Sequence, residues 1–284
     1  MPSGKRHNIF ESVNLFFREA LQLKKTVEFY RFLEFIAKFP AHAPFNNALI
    51  FFQNPACGYY ATAKEWEELN RAINPGSRPM LIMWPFGPVE FVFDIEDTNG
   101  QELDMDKLYW WNTRGKFDED VFDQTYKNCE RLGVPLEKKN PRQYFNRAGF
   151  RTAGQAVLKL DGSQTTVLHP RYNEPSAEAY AILCHEIAHH FLGHLGPIVR
   201  KVKGKPKTIF QDRRNTPKNI KEIEAETVAW IVLSHLGLEK NSQQYLAGYI
   251  TGERDLERLE ISLLLKIAGR IKEMGKGKVN WGKS

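Results

Sequence analysis

The segment Leu183-Cys184-His185-Glu186-Ile187-Ala188-His189-His190 constrains this chain more than any other. Around it Ala177, Tyr180, Ala181, Cys184, Ala188 and Phe191 recur at helical spacing, with Asn173 as a cap and Pro175 in the first turn. The pattern predicts an amphipathic helix ending between Gly193 and Pro197. Successive helical residues turn by about 100°, so His185 and His189 leave the same face one turn apart. Two imidazoles so placed can hold one zinc ion, Zn2+, with Glu186 beside it to take a proton from water.

A catalytic zinc takes three protein ligands and keeps one position open, so a third ligand must come from elsewhere. The extended motif with a third histidine needs Gly at position 192 and His at 195, where this chain has Leu192 and Leu195. On a continuing helix His190 and His194 point about 100° and 140° away from His189, and they read as polar or partly packed residues near the helix end. The next helix begins near Pro217 and carries Glu222, Glu224 and Glu226 in close succession. Glu222 and Glu226 share a face with Ala225 and Ala229, whose small side chains permit close approach of another helix. Glu222 is therefore the expected third metal ligand, and Glu226 a hydrogen-bond acceptor behind a ligating histidine. The alternative for Glu222 is a solvated acid that complements the helix dipole, which is the expected role of Glu224.

With 284 residues, 42% hydrophobic and 26% charged, the composition is that of a globular protein and excludes disordered and collagen-like classes. Apolar runs such as Ala48–Phe52 are far shorter than the roughly 20 residues of a membrane helix. The start, Met1 to His7, is not followed by the apolar core and cleavage site of a secretory signal. Cys57, Cys129 and Cys184 are odd in number and widely spaced, so a cytoplasmic location without membrane association is expected. The net charge of +6 is unevenly spread: 13 Lys/Arg face 17 Asp/Glu through residue 120, and 27 face 17 beyond it.

Apolar positions from Val13 to Ile36 predict one or two helices stopped by Pro40 and Pro44, followed by a short helix over Asn46–Phe52. Thr62 with Glu65 forms a capping box opening a helix through Ala72, and Met80–Trp84 with Val89–Phe93 read as a hairpin. The polar, irregular stretch from Asp94 to about Asp120 marks the expected domain boundary. Beyond it come a helix over about Val121–Leu132 and strands at Gln155–Leu160 and Thr165–Leu168 around the Asp161-Gly162 turn. The pattern is then helical from Glu174 almost to the end, interrupted by a lysine-rich loop from Arg200 to Lys218. The fold class is α+β: a helical unit with a small β-hairpin or sheet over residues 1–110, and a mostly helical unit with a small sheet over 111–284.

His185, Glu186 and His189 on one helix, with Glu222, Ala225 and Ala229 on the next, resemble the ImmA/IrrE-type zinc metallopeptidases. Phe45-Asn46-Asn47-Ala48-Leu49-Ile50, Gln53-Asn54-Pro55, Lys64-Glu65-Trp66, Pro75-Gly76 and the apolar Met80 to Met83 are similar to the N-terminal domain of ArdC-type antirestriction proteins. The first resemblance implies a zincin-like metallopeptidase domain over 111–284 that hydrolyses a protein or peptide substrate. The second implies single-stranded DNA as a partner of residues 1–110. An alternative function follows: a DNA-binding antirestriction or mobile-element protein whose metal site is not primarily proteolytic. Tyr59, Tyr60 and Phe86, in expected loops, are the candidate aromatic contacts to nucleic acid. Arg200, Lys201, Lys203, Lys205, Arg213 and Arg214 are candidate basic contacts to nucleic acid or an acidic substrate near the cleft mouth.

Overall fold

In the computed structural model, which describes residues 26–83, 89–103, 117–138, 153–202, 204–238 and 253–278, the first apolar pattern forms helix α1 (Thr26–Lys38). Pro44, whose missing N–H suits a first helical turn, opens α2 (Pro44–Gln53). Asn47 joins the two. Its amide donates to the carbonyls of Ile36 (2.8 Å) and Phe39 (3.0 Å), and its Oδ1 accepts from the Tyr60 hydroxyl (2.7 Å). Carbonyls left over at the end of α1 thus find partners inside the protein.

Strand β1 (Tyr60–Thr62) runs into α3 (Ala63–Glu68) through the Thr62–Glu65 capping box. The helix does not reach Ala72 as expected: the backbone turns at Asn70, with φ 56°, and Arg71–Ile73 is strand β2. Asn tolerates this left-handed conformation, and Arg71 is then held by hydrogen bonds to the Thr98 hydroxyl and carbonyl. Strands β3 (Met80–Met83) and β4 (Val89–Asp94) pair antiparallel, in a sheet ordered β1-β4-β3. Side-chain amides cover the outer edge of β3: Asn46 bonds both main-chain groups of Met83, and Gln53 both of Leu81. After Asp94 the chain forms a 3₁₀ turn and β5 (Thr98–Gly100), paired with β2, where an irregular connection is expected. A three-residue Thr-Asn-Gly strand is too short and polar to show alternation.

The second half contains α4 (Glu119–Arg131), β6 (Leu136–Lys138), β7 (Gly154–Leu158) and β8 (Gln164–Leu168). The sheet order is β6-β8-β7, with β8 parallel to β6 and antiparallel to β7. Helix α5 (Ala177–Phe191) is capped by Ser176, whose hydroxyl accepts from the Ala179 N–H at 3.0 Å, and not by Asn173. The expected lysine-rich loop is a hairpin of β9 (Ile198–Val202) and β10 (Lys205–Phe210). It is anchored where Phe210 stacks on Phe191, with ring centroids 4.5 Å apart. Helices α6 (Lys218–Ser234), α7 (Glu253–Glu257) and α8 (Ile261–Gly275) follow. The fold is α+β.

Helix α6 is buried along most of its length, packed on α5 and α8. One apolar core runs from Phe32, Leu33 and Ile36 of α1 through Leu183 and Ile187 of α5 and Val228 of α6 to Ile267 and Ile271 of α8. The early helices therefore share a core with the later ones. The first part of the N-terminal helical pattern, Trp84, Phe86, Lys203, the Lys201 side chain and the expected boundary near residue 110 lie outside the described residues. No helix among the described residues is long and apolar enough to cross a membrane, and all three cysteines are buried and outside any disulfide.

Lys272 of α8 ties the α1–α2 turn to this core. Its buried ammonium donates to the carbonyls of Pro40 and His42 and, at 3.1 Å, to Nδ1 of His235, whose Nε2–H donates to the Ile36 carbonyl at 2.8 Å. Burial, and then the Lys272 charge, hold His235 down to about 3. Burial above all holds His42, stacked on Tyr60, at about 4. Below pH about 6.5 the unfolded chain binds protons at both sites and the folded chain does not, so this stability is fully present above that pH and is lost on acidification toward these folded values. The urea midpoint is therefore expected to fall between pH 7.5 and 5, reflecting a loss of unfolding free energy of up to about 1.4 kcal/mol per histidine for each pH unit below about 6.5. Equal midpoints at the two pH values would contradict this reading.

Candidate metal centre

Helices α5 and α6 pack against each other, and Ala225 and Ala229 of α6 are completely buried. The packing brings His185, His189 and Glu222 into one cluster, with ligand atoms within 4.8 Å of one another. The two Nε2 atoms are 3.2 Å apart, and Glu222 Oε2 lies 3.5 Å from that of His185 and 3.8 Å from that of His189. Donors at the usual distance from a tetrahedral ion stand about 3.3 Å apart, so the residues fit a single divalent cation. Behind them Glu226, whose side chain is 1% exposed, places Oε2 3.2 Å from Nδ1 of His185. A proton on that Nδ1 leaves the Nε2 lone pair facing the other two ligand atoms.

Burial opposes a charge on His185, but the Glu222 and Glu226 carboxylates outweigh it and lift this imidazole to about 9. Burial, and then the positive neighbour His185, push His189 down to about 2. The carboxylates thus favour positive charge between the imidazoles, and a divalent cation would supply it.

Glu186 lies beside both the cluster and β7. Burial raises its carboxyl above the ordinary range, against the lowering effects of His185 and of a hydrogen bond from the Ala156 N–H. Gly154 makes this approach possible, since a Cβ there would lie 2.6 Å from Ile182 Cγ2 and 2.9 Å from Glu186 Cγ. Lys159 N–H donates to Ser163 O and His169 N–H to Ala153 O, so the odd-numbered residues of β7 face β8. Gly154, Ala156 and Leu158 then direct their main-chain groups away from β8. No strand among the described residues pairs with that edge.

Two histidines and an acid have roles their sequence positions do not suggest. His190 is fully buried with Nδ1 2.8 Å from Gln164 Oε1 of β8. His194 does not continue the helix: Gly193, at φ 75°, makes a Schellman turn, with Gly193 N–H bonded to His190 O and His194 N–H to His189 O. A side chain at 193 would also collide with the Gln211 carbonyl. The turn brings Nδ1 of His194 to 2.9 Å from Nδ1 of His189, and its Nε2 to 2.9 Å from Glu224 Oε2. Glu224, expected in solvent, is completely buried and forms a two-pronged pair with Arg213 at 2.7 and 2.8 Å. A histidine directly after the helix-ending glycine was the available signal.

Among the candidate contact residues, Arg213 is therefore committed to Glu224 and the nearby Glu260 rather than presented to a ligand. Arg214 is exposed but paired with Asp212 at 2.7 Å. Arg200 and Lys205 are exposed on the hairpin. Arg200 lines a cleft of about 560 Å³ with Arg131, Gly133, Ser163 and Ile198, a lining that includes none of the metal-centre residues. Tyr60 is no loop residue: it begins β1, is completely buried and bonds Asn47, so it cannot stack on a base. Tyr59 is half-buried, edge-on to Trp66.

No protein-family model matches the chain, and no curated protein matches it. Among solved structures it is similar to two of the antirestriction ArdC protein from the R388 plasmid. The Mn(II)-bound structure is 15% identical with a TM-score of 0.37, covering 87% of this chain and 96% of that one. The metal-free structure is 14% identical with a TM-score of 0.36, covering 87% and 94%.

Proposed function

We propose that this chain is a divalent-metal-dependent hydrolase of the peptidase type, with His185, His189 and Glu222 holding the cation and Glu186 acting as general base. The observation that carries the reading is the convergence of three ligand atoms at 3.2–3.8 Å beside the half-buried carboxylate of Glu186. A cation bound there supplies Lewis-acid chemistry, lowering the pKa of a coordinated water and polarising a carbonyl. Zinc suits a His₂Glu set with an open position, and manganese accepts the same nitrogen and oxygen donors. Glu186 takes the proton from the attacking water and passes it to the leaving amine, a task matched to a carboxyl whose affinity for protons is raised by burial. The edge of β7 turned away from β8 supports a peptide as substrate, because an extended main chain can add along it as a further strand through the main-chain groups of Gly154 and Leu158. The test is to load the metal-free protein with zinc or manganese separately and measure stoichiometry and cleavage of a mixed peptide library by mass spectrometry. One ion per chain and cuts dependent on it are expected; failure to bind either ion would end the reading.

A second reading is an antirestriction or mobile-element protein that binds single-stranded DNA and whose metal site is not primarily proteolytic. The similarity of Phe45 to Pro55, Lys64 to Trp66 and Met80 to Met83 to ArdC-type N-terminal domains favours it. It also takes up the name borne by the two solved structures. Salt-sensitive binding of single-stranded over duplex DNA by the whole chain is its expected signature.

A further inference from the structure

We propose that His194, Glu224 and Arg213 form a buried positioning relay that sets the tautomer and orientation of the metal ligand His189. The inference rests on the metal-site reading above and extends it to residues outside the three-donor set.

The direction of the relay follows from its far end. The Arg213 guanidinium donates to both oxygens of Glu224, at 2.8 Å from Nη1 and 2.7 Å from Nη2, which identifies Glu224 as a carboxylate that can only accept. The atom of His194 facing it, Nε2 at 2.9 Å, must then be the N–H. A neutral His194 with its proton there has a lone pair on Nδ1, and that lone pair faces Nδ1 of His189 at 2.9 Å. His189 must therefore carry its proton on Nδ1, which leaves its Nε2 lone pair directed at His185 and Glu222. The reverse order would set two lone pairs against each other at the Glu224 carboxylate.

The relay is also anchored sterically. His194 and Glu224 side chains are 1% and 0% exposed, the Arg213 N–H bonds the Gly193 carbonyl at 2.9 Å, and Lys221 donates to the His194 carbonyl at 3.1 Å. His185 has its own acceptor in Glu226, so each ligating imidazole is oriented by a separate partner, and both carboxylates come from α6.

Titration of Co(II) and of Zn(II) into the metal-free full-length protein tests the proposal, using wild type, His194→Leu and His194→Gln. A glutamine can accept from His189 and donate to Glu224, whereas leucine can do neither. The expected result is a loss of affinity of about 10- to 100-fold in His194→Leu and less than about threefold in His194→Gln. Circular dichroism and thermal melts confirm that each variant is folded. In the Co(II)-loaded wild type, proton NMR should show two strongly shifted, slowly exchanging imidazole N–H signals, with the one from His189 lost in His194→Leu. Wild-type affinity in a folded His194→Leu protein would overturn the relay, as would equal losses in both variants. A single shifted N–H in the wild type overturns it without any variant. Failure of wild type to bind either ion overturns the metal site itself, and the relay with it.

Discussion

His185→Ala is expected to remove the bound cation, and with it the stability that the cation contributes to the folded chain. His185 supplies one of the three donors found among the described residues, and its Nε2 is the point from which His189 and Glu222 stand 3.2 and 3.5 Å away. Losing it leaves a His–Glu pair that cannot complete a tetrahedron, and it leaves Glu226 buried without its imidazole partner. A three-donor site that shares its binding energy evenly loses about 10²–10³-fold in affinity per donor. Ligand linkage makes the effect visible without any activity assay. At a metal concentration about 1,000 times the dissociation constant, wild type gains about 4 kcal/mol, and a variant weakened 1,000-fold gains less than about 0.5 kcal/mol. Thermal melts with and without zinc should therefore separate widely for wild type and coincide for His185→Ala. A variant that keeps one ion per chain by elemental analysis would show that the metal lies elsewhere.

Glu186→Gln is expected to separate binding from chemistry. The substitution preserves shape, and the new carbonyl oxygen can still accept from the Ala156 N–H, so the packing of α5 on β7 should survive. His185, His189 and Glu222 are untouched, so the stoichiometry of bound metal should not change. Only the proton-accepting group is lost, for which peptide cleavage should drop by about 10²–10⁴-fold. The same variant divides the two functional readings. If protection of DNA from restriction and binding of single strands are as strong in Glu186→Gln as in wild type, hydrolysis is not the biological activity.

That His185, Glu186 and His189 share one helix was legible because it depends only on near neighbours in sequence. A four-residue step on an apolar helix sets His185 above His189 whatever the rest of the chain does, and the next acidic helix offered Glu222 to complete the set. Much of the secondary structure was legible for the same reason: α1, α2, α5, α6 and the hairpins β3–β4 and β7–β8 all repeat a periodic pattern. The hairpin β9–β10 was missed because its lysines mask the alternation that buries Ile198 and Phe210. His194 was missed because extrapolating α5 by 100° per residue carries it away from His189, while Gly193 turns the chain back.

By itself, then, the sequence determined that two imidazoles and an adjacent carboxylate share a helix, that a second helix carries clustered acids, and that the class is α+β. Tertiary structure alone decided which acid meets which base: Glu222 the ligand cluster, Glu226 His185, and Glu224 the buried His194 and Arg213. It also decided that Tyr60 is core and that Arg213 is structural rather than a surface contact. The physical reason is that helical phase is set by bonded neighbours and can be read locally. The burial of a charge is acceptable only beside an opposite charge or a full set of hydrogen-bond acceptors, and those partners are delivered by packing between segments far apart in the chain.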